Sequence, residues 1–279
     1  LFYYLIIHKF LIVNINSKCY TFHVVLSGEK ERLIMSKKYV VGLDLGGTKI
    51  YTALVDLNGT IIKEKVVETL AFEGEEAVIN RMMDTIDYVI EGTDKELIKA
   101  IGIGAPGALD LKEGIVIESP NLPFENFELV GKIRARYDLP TYLDNDANVA
   151  TLGEYKFGAG KGTENMIYMT VSTGIGGGAI LNGKIFRGST GNALEIGHTT
   201  ISQERTRCGC GNIGCAESLA SGTAIGKRAK EAVNSNAETS LKNYDDVTSK
   251  EVFIEAANGD RVAKEILNTS LTYLGITVA

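Results

Sequence analysis

One histidine and three cysteines sit close together near the middle of the second half of the chain: His198, then Cys208, Cys210 and Cys215 within CGCGNIGCAE at 208–217. That set is a standard composition for a closed, structural zinc site. Buried free thiols, with a core histidine, are the plainer alternative. Four ligands would leave no open position for an activated water, which argues against a zinc hydrolase. Glu195 and Glu217 flank the set. Carboxylates there could accept two hydroxyls of one sugar, or could be surface glutamates.

A second group is LDNDANVATLGE at 143–154, which places Asp146 at a strand end and at a helix N-cap position. The same carboxylate could act as a general base, taking a proton from a hydroxyl as it attacks a γ-phosphate. Such a base needs no strongly shifted pKa, because positioning supplies most of the catalysis in phosphoryl transfer. Asn145 can both donate to and accept from sugar hydroxyls.

Two glycine turns could hold phosphates. In LDLGGTK at 43–49, Gly46 and Gly47 leave backbone N–H groups unobstructed. A strand follows rather than a helix, so this is not a Walker A loop. Thr48 could offer a hydroxyl, Lys49 a charge, and Asp44 could hold Mg²⁺ through water; a simple hairpin turn explains the glycines as well. TVSTGIGGGAI at 170–180, with Thr173 and Gly174, is a second cradle or a glycine-bulged hairpin. Together the loops could grip a polyphosphate from both sides.

These residues need elements to position them. YVVGLDL at 39–45 reads as a strand, TKIYTALVDL as the next, and Asn58-Gly59 as a hairpin turn into TIIKEKVVE. Ala77, Val78, Met82, Ile86 and Ile90 predict a helix over 75–91. IKAIGIGAP is a strand ending in a loop at 104–107, a helix covers about 128–137, and the strand TYLDND leads into a helix from about Ala147 to Tyr155. Residues 165–188 repeat the opening theme, with VDLNGTII at 55–62 matched by AILNGKIF at 179–186. Two similar halves in an α/β architecture of two lobes, with a ligand cleft between them, are expected. A helix from Ala263 to Ala279 carries Ile266, Leu267, Leu271, Leu274 and Val278 near one face.

The 279 residues are 44% hydrophobic and 23% charged, ordinary globular composition that allows roughly two domains. A net charge of −6 without a long basic run disfavours binding to nucleic acid. Four cysteines with this clustering fit a reduced cytoplasm better than a disulfide framework. Residues 1–26 are apolar but interrupted, too broken for a spanning helix, so no membrane partner is expected. Residues 1–34 read as untranslated upstream sequence or a disordered lead, with Met35 as the initiator. The last helical pattern runs to Ala279 without a stop signal, which reads as a fragment.

In combination and order, DLGGTK at 44–49, NDAN at 145–148, STGIGGG at 172–178, and EIGH at 195–198 with CGCGNIGCAE resemble the ROK family of repressors, open reading frames and kinases. The resemblance runs from about Tyr39 to the end. It implies an actin-like, two-lobed ATPase fold, with a small lobe over 35–145 and a large, zinc-bearing lobe over 146–279. It implies ATP, Mg²⁺ and a structural Zn²⁺, and an ATP-dependent kinase acting on the 6-hydroxyl of a hexose. The glucokinase branch is suggested by CGCGNIGCAES and SPNLPFENFEL. Asp146 would be the base. Asn121, Asn145, Glu195, His198 and Glu217 would line the sugar pocket, His198 also binding zinc. Gly46, Gly47, Thr48, Thr173 and Gly174 would face the phosphates. A dimer or tetramer is expected. Rival readings are a sugar-responsive transcriptional regulator and a kinase for fructose, mannose or an N-acetylated hexosamine. Two departures stand out: Leu194 replaces a small residue of the family pattern, and family members continue past Ala279 with a segment that helps hold adenosine.

Overall fold

A computed structural model describes residues 37–119, 121–189, 191 and 193–279. The expectations for residues 1–34 and for Met35 lie outside the described residues. The described chain forms two compact units. One comprises residues up to 167 together with 179–193, and the other residues 168–178 and 194–279.

The first unit grows from a meander whose first two strands have apolar residues buried on both faces, while the third has none fully buried. β1 (Tyr39–Leu45), β2 (Lys49–Asp56) and β3 (Ile61–Glu68) form an antiparallel meander, as expected. The helix α1 (Glu75–Ile90) then crosses to β4 (Ile98–Ala105), which pairs parallel with β1. The short strands β5 (Ala108–Asp110), β6 (Ile115–Glu118) and β7 (Glu125–Phe127) make a separate sheet, and α2 (Leu129–Tyr137) leads to β8 (Thr141–Asn145), parallel to β4. The resulting order is β3-β2-β1-β4-β8. Val41, Leu43, Leu45, Leu54, Ile101 and Ile103 meet Met82 and Ile86 of α1 and Ile133 of α2 in one core. The face α1 buries is Val78, Ile79, Met82, Thr85, Ile86 and Val89, so the predicted Ala77 and Ile90 lie at its rim. Thr85 can sit inside because its hydroxyl meets that of Thr52 at 2.7 Å.

The helix α3 (Asp146–Phe157) follows β8 directly. Further along come β9 (Met166–Val171), β10 (Ile175–Leu181) and β11 (Lys184–Phe186), a second three-stranded meander in the order β11-β10-β9. Its Asn-Gly turn differs from the first. Asn182 and Gly183 both have positive φ, 51° and 73°, which is the two-residue type I′ geometry. At Asn58-Gly59 only the glycine is left-handed, and the carboxylate of Asp56 accepts the N–H groups of Asn58 and Thr60.

In the second unit, α4 (Ala216–Ala220), α5 (Gly222–Asn234), α6 (Ser249–Ala257) and α7 (Arg261–Val278) follow the cysteine segment. Ile225, Ala229, Leu241, Val252, Ala263, Ile266 and Leu267 form their core. Leu274 packs instead with Ile175 and Ala216. Leu271 and Val278 are exposed, contrary to expectation. The covered face of α7 is centred on Ala263, Ser270 and Leu274, and those two side chains fall just past its rim. Among the described residues no helix is long and apolar enough to cross a membrane.

Candidate active site and metal centre

Parallel strands end together, and the loops after them are where an open α/β sheet can hold a ligand. In the first unit Asp44 on β1 lies opposite Gly104 on β4, and Gly104 lies opposite Asp144 on β8. The same edge therefore carries Asp44, the strand end at Ala105 and the run Asp144-Asn145-Asp146.

The strand-to-helix corner corrects one expectation. The N-cap is Asn145, whose side-chain oxygen accepts the N–H groups of Ala147 at 2.9 Å and Asn148 at 3.3 Å. Asp146 is the first residue of α3, and one of its carboxylate oxygens accepts the Ala147 N–H at 2.8 Å. The capping work is thus done by its neighbour. Burial raises the Asp146 carboxyl above the ordinary range, against a lowering by backbone N–H groups. Burial, and then the charge of Asp146, push Asp44 up to about 6, although Lys49 acts in the other direction. The two carboxylates therefore share one electrostatic neighbourhood.

The first glycine turn is fastened from outside. Gly46 donates its N–H to the Lys49 carbonyl at 3.0 Å, and the buried Thr69 donates its hydroxyl to the Gly46 carbonyl at 2.6 Å and its N–H to the Thr48 carbonyl at 2.9 Å. Thr48 and Lys49 are exposed. At Gly47 a Cβ would stand 2.5 Å from the Cβ of Asn121, so only glycine lets Asn121 lie against this loop.

In the second unit the turn at Ser172–Gly174 is held by the start of α5. Gly222 donates its N–H to the Ser172 carbonyl at 2.8 Å, and Thr223 donates its hydroxyl to the Thr173 carbonyl at 2.8 Å. Glu217 reaches the same turn: its Oε2 accepts the Ile175 N–H at 2.9 Å and lies 2.4 Å from where a Cβ on Gly174 would be. Thr173 is exposed. Glu195 is exposed and directly precedes the 3-10 turn Ile196–His198.

That turn brings His198 to the cysteines. The candidate ligand atoms of His198, Cys208, Cys210 and Cys215 all lie within 4.8 Å of one another. His198 Nδ1 is 3.5 Å from the Cys208 sulfur, and the Cys210 and Cys215 sulfurs are 3.8 Å apart. A tetrahedral site with metal–sulfur bonds of about 2.3 Å has sulfur–sulfur edges of about 3.8 Å, so the donors fit zinc. The segment is folded for this purpose by short bridges, Arg207 with Ile213 and Thr200 with Cys215.

The structure thus joins Asp44 with Asp146, Gly47 with Asn121, Gly174 with Glu217, and His198 with its three cysteines. It also adds residues that sequence reasoning missed: Asp144, Asn148 and Arg187 around the β8–α3 corner, and Thr69 and Thr223 behind the glycine turns. Asp144 carried a signal, as an acid two residues before Asp146. Arg187 carried none, being 43 residues away from its partner.

Comparison with known proteins gives these geometries a family. The ROK family pattern matches residues 40–279. A glucokinase of Halalkalibacterium halodurans is 37% identical over 253 residues, covering 88% of this chain and 76% of that enzyme. A xylose repressor of Caldicellulosiruptor bescii is 34% identical, covering 86% of this chain and 61% of that protein. A ROK glucokinase from Streptomyces griseus, solved with glucose and AMPPNP, superposes with a TM-score of 0.73 at 35% identity, covering 86% of this chain and 78% of that one. The α/β class and the actin-like ATPase fold expected from the motifs are those of these relatives. On the motifs, the fold and these similarities alike, this chain belongs to the ROK family.

Proposed function

We propose that the protein is an ATP-dependent hexose kinase of the glucokinase type, moving the γ-phosphoryl group of ATP to the 6-hydroxyl of glucose. The observation that carries this reading is the placement of Asp146. Its carboxylate stands at the end of the parallel sheet, on the first turn of α3, with its pKa raised by burial. A raised carboxylate accepts a proton more readily than an ordinary one, and positioning does the rest. The 6-hydroxyl oxygen forms its bond to phosphorus as its proton passes to Asp146 and the bond to ADP breaks.

Asn121, Asn145, Glu195, His198 and Glu217 are the side chains suited to take sugar hydroxyls. Gly46, Gly47, Thr48 and Lys49 serve the phosphates in one turn, Thr173 and Gly174 in the other. Asp44 is suited to Mg²⁺ held through water, since a cation would offset the burial and, after it, the Asp146 charge that raise its carboxyl. The metal would neutralise phosphate charge. Zn²⁺ suits the His198, Cys208, Cys210 and Cys215 set, where it would brace the segment between Glu195 and Glu217. A cluster of metal-ligating cysteines such as Cys208, Cys210 and Cys215 suits a reducing, cytoplasmic setting.

The test is ADP release with ATP–Mg²⁺ and a panel of glucose, mannose, fructose and N-acetylated hexosamines. Glucose should give the highest kcat/KM; sugar-independent ADP release, or none, would contradict the reading. The similarity to a xylose repressor favours one second reading, a sugar-responsive regulator. Duplex binding that weakens steeply with salt would support it.

A further inference from the structure

Asp144 is a mostly buried carboxylate, its side chain 13% exposed, and each of its oxygens has two donors. Oδ1 accepts the Asn145 N–H at 2.9 Å and the Asn148 side-chain amide at 3.1 Å. Oδ2 accepts two N–H groups of Arg187, from Nε at 3.0 Å and Nη2 at 2.6 Å. A charge this far from water is tolerated only when paired and hydrogen-bonded.

The donors are placed on both sides of the proposed base. Asn145 precedes Asp146, and Asn148 follows it within the first turn of α3. Asn148 is 2% exposed, and its own Oδ1 has no hydrogen-bond partner among the described residues. Its amide is therefore oriented by Asp144. Arg187 is itself anchored: it follows β11, and its carbonyl accepts the Ala193 N–H at 3.1 Å.

We propose that Asp144 and Arg187 are positioning residues for Asp146, an ion pair that clamps the β8–α3 corner to the end of the β10–β11 hairpin. This rests on the kinase reading above. Removing the guanidinium leaves the Asp144 carboxylate unpaired, and the corner shifts to rehydrate it. A displacement of about 1 Å in a reacting group can lower turnover about 10²-fold. Lysine is a poor replacement, because a single ammonium cannot reproduce two N–H groups held in a fixed fork.

The experiment measures kcat and KM for glucose and ATP in the parent protein, Arg187→Met, Arg187→Lys and the charge-free pair Asp144→Asn with Arg187→Gln. All are assayed below their melting temperatures. Arg187→Met should lose about 10- to 100-fold in kcat with KM for ATP nearly unchanged. Added guanidinium should restore part of that loss, and Arg187→Lys should fall between parent and Met. If Arg187→Met does not fold, the charge-free pair carries the test and should show the same fall in kcat. Parent turnover with an unchanged kcat in folded variants would overturn the positioning role alone. A parent that phosphorylates no hexose would defeat the kinase reading and this role with it.

Discussion

Asp44, proposed to serve the phosphates, works against the fold that holds it. Its carboxyl stands at about 6 in the folded chain against 3.8 as a free aspartate, because burial and Asp146 disfavour its charge. The folded state therefore holds an extra proton between those values. That proton's stabilising contribution is complete below about pH 4 and is lost as pH rises through 6. Asp44→Asn should accordingly melt higher than the parent at pH 8 in the absence of Mg²⁺, with the difference fading toward pH 4.5. Melting curves across that range check it; a difference that grows toward low pH would contradict the assignment. Leu194 carries a related cost. Its φ of 65° is left-handed, a conformation that costs a non-glycine residue about 1–2 kcal/mol, and it immediately precedes Glu195. The sequence marked this position only as a departure from a family pattern; the backbone angle is what gives the departure its energy.

At the scale of elements, the glycine turns act through what lies behind them. Gly174→Ala would drive a Cβ into the Glu217 carboxylate. The substitution should raise KM several-fold for the sugar, through Glu217, and for ATP, through the turn proposed to hold its phosphates, as steady-state kinetics with each substrate varied would show. Cys210→Ser removes one of four donors. Bound zinc, measured by elemental analysis of the purified protein, should fall from about one per chain toward none; full retention would remove Cys210 from the set. The strands and helices were legible because their signals are local. The run YVVGLDL, the Asn-Gly turns and the 3.6-residue spacing in α1 each predict an element from adjacent residues. Asp146 as the cap was misread because Asn145 and Asp146 are both good caps in adjacent positions, and only backbone geometry decides between them. Leu271 and Val278 were misplaced because apolar spacing marks a face but not where its rim falls. Arg187 was invisible because an ion pair across 43 residues leaves no periodic trace.

For the whole molecule, the strongest indication came from the order of motifs. Each glycine turn or acidic strand end has a bland explanation alone, yet the order of turn, acidic strand end, turn and cysteine set marks a family, and ROK glucokinases of similar fold accord with it. The proposed chemistry turns on Asp146 taking the proton during transfer. The direct measurement is a single-turnover reaction of the protein with ATP labelled on its γ-phosphate and excess glucose, set beside Asp146→Asn, with the affinities for both substrates measured separately. The account predicts label on the sugar 6-hydroxyl in the parent, and a rate about 10²- to 10⁴-fold lower in the variant at similar affinities. An equal rate in the variant, or label released only as inorganic phosphate by the parent, would contradict it.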